Sequence, residues 1–327
     1  MTLLTIVVLV AGCMAVLAGM IAFSAPTNPP PVPTLQAAAA VLVKTLGDVP
    51  KAENFVARDG TSVAFRSYPA SPDRVVVLVH GSSGSALLMH PIAGELAKAG
   101  ITAYALDMRG HGFSGPKGDI AYVGQLDDDV EDFLKSIATK HANAKRVLLG
   151  FSAGAGFTIR FAGGAKGELF DGYVAMAPYL GEDVPSARPR VEGGWVSAAV
   201  PRLIALTILD RLGIRQFGHL PVLGFAIPED QRRIPFITPF YSYRLFANFR
   251  SPRDWMGAVR AIRRPTLVIA GSTDELFVSE KFDETFRLVR NDIKVEVVPN
   301  INHMQLVTEA PAIAAAVRAA TQLLSAR

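Results

Sequence analysis

The stretch VLLGFSAGAGF, Val147 to Phe157, sets Ser152 between Gly150 and Gly154 directly after an apolar run. A serine hydroxyl is a weak nucleophile at neutral pH until an imidazole takes its proton and a carboxylate holds that imidazole in one tautomer. Of the six histidines only His219 and His303 follow Ser152. His303 lies in PNINHMQL, just past the last apolar segment, whereas His219 has no such segment before it. VIAGSTDELF places Asp274 shortly after another apolar segment, with Glu275 beside it, and the loop position favours Asp274 as the orienting acid. Taken singly, a serine in a turn, an aspartate after a strand and a loop histidine are ordinary. The order Ser152, Asp274, His303, each behind a different apolar segment, is the order of a relay whose nucleophile stands on a strand-to-helix turn.

Attack on a carbonyl carbon by such a serine creates an oxyanion that needs at least two donors. The Ala153 N–H, immediately after the nucleophile, is one expected donor. The Ser82 N–H in HGSSGS is the other, with Gly81 and Gly84 letting that backbone come close. No Walker lysine is present, and GAG at 154–156 lacks the third glycine of a dinucleotide fingerprint. Cys13 is the only cysteine, which excludes an intrachain disulfide and a cysteine pair for metal or redox work. The expectation is therefore chemistry with no metal and no organic cofactor.

Positioning these residues calls for a particular scaffold. NFVARDGTSVAFRSY reads as a hairpin across Asp59-Gly60. From there apolar strands at 74–81, 145–150, 171–178, 265–272 and 293–299 alternate with helices, among them SALLMHPIAGELAKAG, Asp127 to His141, AGAGFTIRFAGG, Glu280 to Val289, and a final amphipathic helix from about Gln305 to Leu324. Fully apolar strands with intervening helices predict an α/β fold, a mostly parallel sheet covered on both faces. Ligands in such sheets gather beyond the carboxyl ends of the strands, where all three relay residues fall. At 327 residues, half of them apolar and 19% charged, the chain is long enough to bury that core.

Two segments lie outside the alternation. Leu3 to Phe23 carries no charge over 21 residues, close to the ~20 that cross a bilayer as a helix. No Lys or Arg precedes it, which favours a retained anchor over a cleaved signal ending near AFSAP or a lipoprotein signal acylated at Cys13. The expected location is membrane-anchored with the folded domain outside the cytoplasm. The boundaries read as an anchor or signal at 1–25, a Pro/Ala-rich linker at 26–50 and one domain at 51–327. The prolines of SAPTNPPPVPTLQAAAA predict an extended spacer, then an alanine-rich stretch suited to a helix. Between Glu182 and Arg264 stand thirteen arginines, no lysine and seven acids, a balance of +6, with interleaved aromatics. No nucleic-acid motif accompanies them, so nucleic acid is not an expected partner. An amphipathic lid is.

LVHGSSGS, LDMRGHGFSG, GFSAG, GSTDELF and NINHM together resemble the α/β-hydrolase superfamily, and D-x-R-G-H-G-x-S-G at 107–115 resembles its monoacylglycerol lipase, lysophospholipase and serine aminopeptidase-like branch. The resemblance implies an α/β-hydrolase fold with a cap at about 180–255, inserted before the strand that bears the acid. It implies Ser152 as nucleophile, Asp274 as acid, His303 as base, and Ser82 and Ala153 as oxyanion donors, with Asp107, Arg109 and His111 bracing a loop. It also implies a serine hydrolase acting on esters, and the apolar anchor and aromatic cap point to lipid-like or medium-chain acyl esters as its substrates. The same triad serves peptide, thioester and acyl-transfer chemistry, and the scaffold also occurs as a silent binding protein. That branch often has histidine before the nucleophile, where this chain has Phe151.

Overall fold

Eight strands form the central sheet of the computed structural model, which describes residues 2–33, 46–188 and 194–325. Their order across the sheet is β1 (Glu53–Val56), β2 (Ser62–Tyr68), β4 (Thr102–Leu106), β3 (Arg74–Val79), β5 (Lys145–Phe151), β6 (Gly172–Met176), β10 (Thr266–Gly271) and β11 (Lys294–Val298). β1 and β2 are the hairpin turning at Asp59-Gly60, β2 joins β4 antiparallel, and the remaining pairings are parallel. Val75 to Val79 and Val147 to Phe151 are buried throughout, as β-branched and leucine runs covered on both faces must be. Helices α2 (His90–Lys98) and α10 (Ala310–Ser325) pack together against the sheet, as do α4 (Ala153–Ala162) and α7 (Trp255–Ala261).

Several helices are shorter than the pattern predicts, each for a local reason. The helix expected over Asp127 to His141 is α3, Gln125–Ser136. The chain leaves it early so that His141 can enter the core, where Nδ1–H donates to the Pro72 carbonyl (2.7 Å) and Nε2 accepts from the Tyr104 hydroxyl (2.8 Å). The segment at 85–100 opens as a 3-10 turn, Ala86–Met89, before α2. Pro91 in the first turn of α2 is tolerated there because its missing N–H has no helical partner to lose. The helix expected from Glu280 to Val289 is a 3-10 turn followed by α8 (Phe282–Arg287). The final helix is two, α9 (Gln305–Thr308) and α10, separated by an extended Glu309. Pro311 cannot continue a helix through its own ring and lacks the N–H that would bond back.

The insertion between β6 and β10 contains a second, antiparallel sheet of β7 (Val196–Ala198), β8 (Pro221–Phe225) and β9 (Phe240–Ser242), with helices α5 (Val200–Arg211) and α6 (Tyr243–Asn248). Its strands are too short and too interrupted by proline for a period-two pattern to reveal them.

Helix α1 (Leu3–Ala22) is 20 residues long and has a mean hydropathy of 2.6 over its most apolar stretch; none of its residues is fully buried, though Leu17 and Ile21 are partly buried where it packs against α5. It is long and apolar enough to cross a membrane. The extended segment after it is not a free spacer. Its polar groups pair with the insertion: Ser24 Oγ accepts from the Arg202 N–H (2.8 Å), and Arg202 Nε donates to the Ile21 carbonyl at the end of α1 (2.9 Å). The Thr27 and Ser197 hydroxyls bond at 2.8 Å, and Thr27 presses so closely on β8 that a Cβ at Gly224 would stand 2.2 Å from its carbonyl oxygen. The alanine-rich stretch at 37–40 lies outside the described residues.

Candidate active site

β5 ends at Phe151 and α4 begins at Ala153, so Ser152 makes the whole reversal, with φ +55° and ψ −117°. A non-glycine residue there is strained by on the order of 1–3 kcal/mol, and the neighbouring glycines are what permit the turn. A Cβ at Gly150 would stand 2.2 Å from the Gly154 carbonyl oxygen, and one at Gly154 would stand 2.3 Å from that of His80. Ser152 is 8% exposed and therefore still reachable.

The residues named from chain order come together here. The Ser152 hydroxyl donates to His303 Nε2 (3.0 Å), and His303 Nδ1–H donates to Asp274 Oδ2 (2.8 Å). A carboxylate only accepts, so this bond fixes the tautomer that leaves Nε2 as the acceptor. Asp274 stands three residues beyond β10, and its second oxygen accepts from the N–H groups of Leu276 (2.8 Å) and Phe277 (3.0 Å). Glu275 takes a supporting part: its carboxylate accepts from the His303 backbone N–H (3.0 Å). Phe151 lies against the imidazole with ring centroids 4.8 Å apart, and Phe277 meets it at 5.4 Å. The position that departs from the resembling branch thus packs directly on His303.

Ala153 and Ser82 are the expected oxyanion donors. Ala153 opens α4, where first-turn N–H groups have no helical acceptor and the helix dipole favours negative charge. The loop carrying Ser82 lies beside the nucleophile, since a Cβ at Gly81 would be 3.3 Å from Ser152 Cβ. Among the described residues neither N–H is spent on a protein acceptor.

Sequence reasoning missed what holds that loop. Trp195 Nε1–H donates to Ser82 Oγ (2.9 Å), the Thr238 N–H donates to the Ser83 carbonyl (3.0 Å), and the Tyr241 hydroxyl accepts from the Ser83 N–H (2.8 Å). All three come from the insertion, where the sequence showed only an arginine- and aromatic-rich stretch. Arg188, also missed, donates to the carbonyls of Asp274 (2.7 Å) and Phe277 (3.1 Å), pinning the acid loop from the same insertion.

The D-x-R-G-H-G block braces this arrangement. Asp107 accepts from the N–H groups of Ala86 (2.7 Å) and Phe113 (3.0 Å). Arg109 grips Asp129 and Asp59. His111 Nδ1 faces the carbonyls of Met108 and Arg109, so its Nε2 accepts from the Tyr241 hydroxyl.

His80 and His111 are buried with ring centroids 4.7 Å apart. Burial holds both imidazoles below the usual histidine range, with His80 pushing His111 further down, while Asp107 and the Gly81 carbonyl act upward on His80. In the unfolded chain both would protonate near pH ~6.5. Below that pH the unfolded state binds protons that the native state refuses, so stability is complete above it and falls as pH drops toward the lowered native values. The slope is up to about 1.4 kcal/mol per pH unit for each imidazole. Thermal melts should show a level Tm from about pH 7.5 to about pH 6.5 and a falling Tm from there down to about pH 5. A flat profile over that window would contradict the burial of two neutral histidines.

Comparison with known proteins identifies the family and the fold. The family model of serine aminopeptidase, S33 (Hydrolase_4) matches residues 70–310. A monoacylglycerol lipase of Mycolicibacterium smegmatis is 42% identical over 98 residues, 29% of this chain and 34% of that protein, so the match spans about a third of the relative. A 2-(acetamidomethylene)succinate hydrolase of Mesorhizobium japonicum is 26% identical over 247 residues, 70% of this chain and 81% of that protein. The structure of a soluble variant of monoglyceride lipase from Saccharomyces cerevisiae, bound to a substrate analogue, superposes with a TM-score of 0.60 at 18% identity, covering 85% of this chain and 95% of that one. That likeness establishes the α/β-hydrolase fold.

Proposed function

Because the chain belongs to the serine aminopeptidase S33 family of α/β-hydrolases, we propose that it is a serine esterase working through an acyl-enzyme, with Ser152 as nucleophile, His303 as base and Asp274 as orienting acid. The observation that carries this reading is the unbroken line of hydrogen bonds from the Ser152 hydroxyl through His303 to Asp274. Ser152 Oγ attacks the ester carbonyl while His303 Nε2 takes its proton, and the N–H groups of Ala153 and Ser82 receive the oxyanion. His303 then protonates the departing alkoxide, leaving the acyl group on Ser152. Water attacks that acyl group, His303 takes its proton, and the acid departs as Oγ is reprotonated.

Lipid-like or medium-chain acyl esters are the proposed substrates. The aromatic insertion, the apolar α1 and the likeness to two monoacylglycerol or monoglyceride lipases support that choice. Residues 180–255 serve as a cap over the domain at 51–327, and α1 anchors that domain to a membrane, on its extracytoplasmic side. The family's description names an aminopeptidase, which would need free acids to hold a substrate ammonium. In the insertion Glu182 already accepts from the Tyr179 hydroxyl (2.9 Å).

The test is a fluorophosphonate probe with an ester panel of acetate, octanoate and laurate, a monoacylglycerol, and an aminoacyl anilide. Labelling together with faster turnover of octanoate and laurate is the expected result. Absence of labelling overturns the serine mechanism, and a preference for acetate or the anilide overturns the substrate class.

A further inference from the structure

A cleft of about 580 Å³ runs along α5 and past Tyr179 and Trp255. It is separate from the relay, since Ser152, Asp274 and His303 are not among its walls. Leu203, Ile204, Ile208 and Phe246 make one wall apolar, and Arg211, Arg250 and Arg253 add three guanidinium groups. Most arginines nearby are already engaged. Arg244 grips Asp119, Arg202 donates to backbone carbonyls, and Arg188 holds the acid loop.

Arg250 is different. It is partly buried, its guanidinium lies over the Phe246 ring at 4.6 Å, and among the described residues no carboxylate, carbonyl or hydroxyl hydrogen-bonds it. Burial pushes its guanidinium below the usual arginine range, Tyr179 and Tyr243 act against that shift, and Arg253 adds to it. Arginine nevertheless stays charged, so the cleft keeps a partly desolvated cation held by an aromatic face and by no carboxylate among the described residues. Glu182, which accepts from the Tyr179 hydroxyl, and Asp183 also line the cleft.

We propose that this cleft binds the anionic head of an acyl amphiphile, a carboxylate or a phosphate, with Arg250 as the counter-ion. Arg211 and Arg253 flank that head, and Leu203, Ile204 and Ile208 carry the acyl chain. A guanidinium offers either anion two parallel donors, and the adjoining aliphatic wall excludes a bare inorganic ion as the best fit. The wall also continues outward: Val200, Ile204, Ile208 and Leu212, spaced four apart on and just past α5, are exposed on the helix that holds the end of α1. The inference goes beyond the esterase reading and does not depend on it. Two sources carry the same chemistry, a free fatty acid and an anionic phospholipid.

The test uses the full chain with Ser152→Ala and Trp195→Phe. Turnover is then absent, and Trp255, in the cleft wall, is the single tryptophan of the two in the sequence. Its emission is followed during titration with laurate, with vesicles of phosphatidylglycerol in phosphatidylcholine, with phosphatidylcholine vesicles alone, and with dodecylamine. A saturable response to laurate identifies the free acid. A response to the phosphatidylglycerol vesicles alone identifies the lipid headgroup. In either case Arg250→Met should weaken binding by about tenfold or more, as loss of a charge-assisted bond implies. Arg211→Ala, at an exposed position, should weaken it as well and serves if Arg250→Met does not fold. Equal responses to phosphatidylcholine or dodecylamine, no response to any ligand, or unchanged affinity in a folded variant overturns the proposal.

Discussion

Replacing Ser152 by alanine should lower kcat by about 10⁴- to 10⁶-fold while leaving the fold intact. The loss is large because the relay acts as a unit: without Oγ, His303 and Asp274 have no nucleophile to activate. The fold should survive because the Ser152 side chain makes no capping bond to α4, and its polar partner is the His303 imidazole alone. Melting of the variant should stay within about 1 kcal/mol of wild type. Ser152→Gly extends the argument. At φ +55° glycine relieves backbone strain, so this equally inactive variant should be more stable than wild type by about 1 kcal/mol or more. An inactive protein more stable than its parent is hard to explain if Ser152 is only a turn former. Paired kinetic and thermal measurements decide, and Ser152→Ala retaining measurable ester turnover would remove Ser152 from the mechanism.

Gly154→Ala should be among the most damaging single-methyl additions in the molecule. The added carbon would lie 2.3 Å from the His80 carbonyl oxygen and 2.7 Å from that of Val79, both backbone atoms of the neighbouring strand and its exit. Neither can swing aside, so α4 must lift off the sheet. Overpacking of this kind costs about 3 kcal/mol or more, or roughly 6–12 °C in Tm. Activity should fall further than stability, because a shift of ~1 Å between the nucleophile and the donor loop costs about 10²-fold. Gly94→Ala is the matched control. Gly94 lies in α2 with open space around its would-be Cβ, and the substitution should stabilise by about 0.4–1 kcal/mol. Equal effects at the two sites would show that the close approach at Gly154 is not a constraint.

The relay was legible because its signals are local. A glycine-framed serine, an aspartate and a histidine each follow a strand, and the parallel sheet gathers such strand ends along one edge. Phe151 was legible as a departure, but its contact with His303 was not, since ring packing leaves no mark in spacing. The clamp on the Ser82–Ser83 loop was invisible for a related reason. Trp195 lies 113 residues from Ser82 and Tyr241 lies 158 from Ser83, and no periodicity links such pairs. Helix ends failed where tertiary demands overrode pattern, as when His141 left its helix for Tyr104 and Pro72. The segment after α1 reads as an extended spacer, and its contacts with the insertion were not legible, because prolines report backbone shape and not partners.

Through Ser24 and Thr27 the chain is fastened to the roof of the molecule before it reaches the floor. Ser24 is tied to α5 and Thr27 to β7, whereas the main sheet is entered only at Glu53. The roof also carries Trp195 and Tyr241, which grip the loop beside the nucleophile. The segment that follows α1 and the loop beside Ser152 are thus held by one and the same insertion, and a chain trimmed past Thr27 would lose the first of these two sets of contacts.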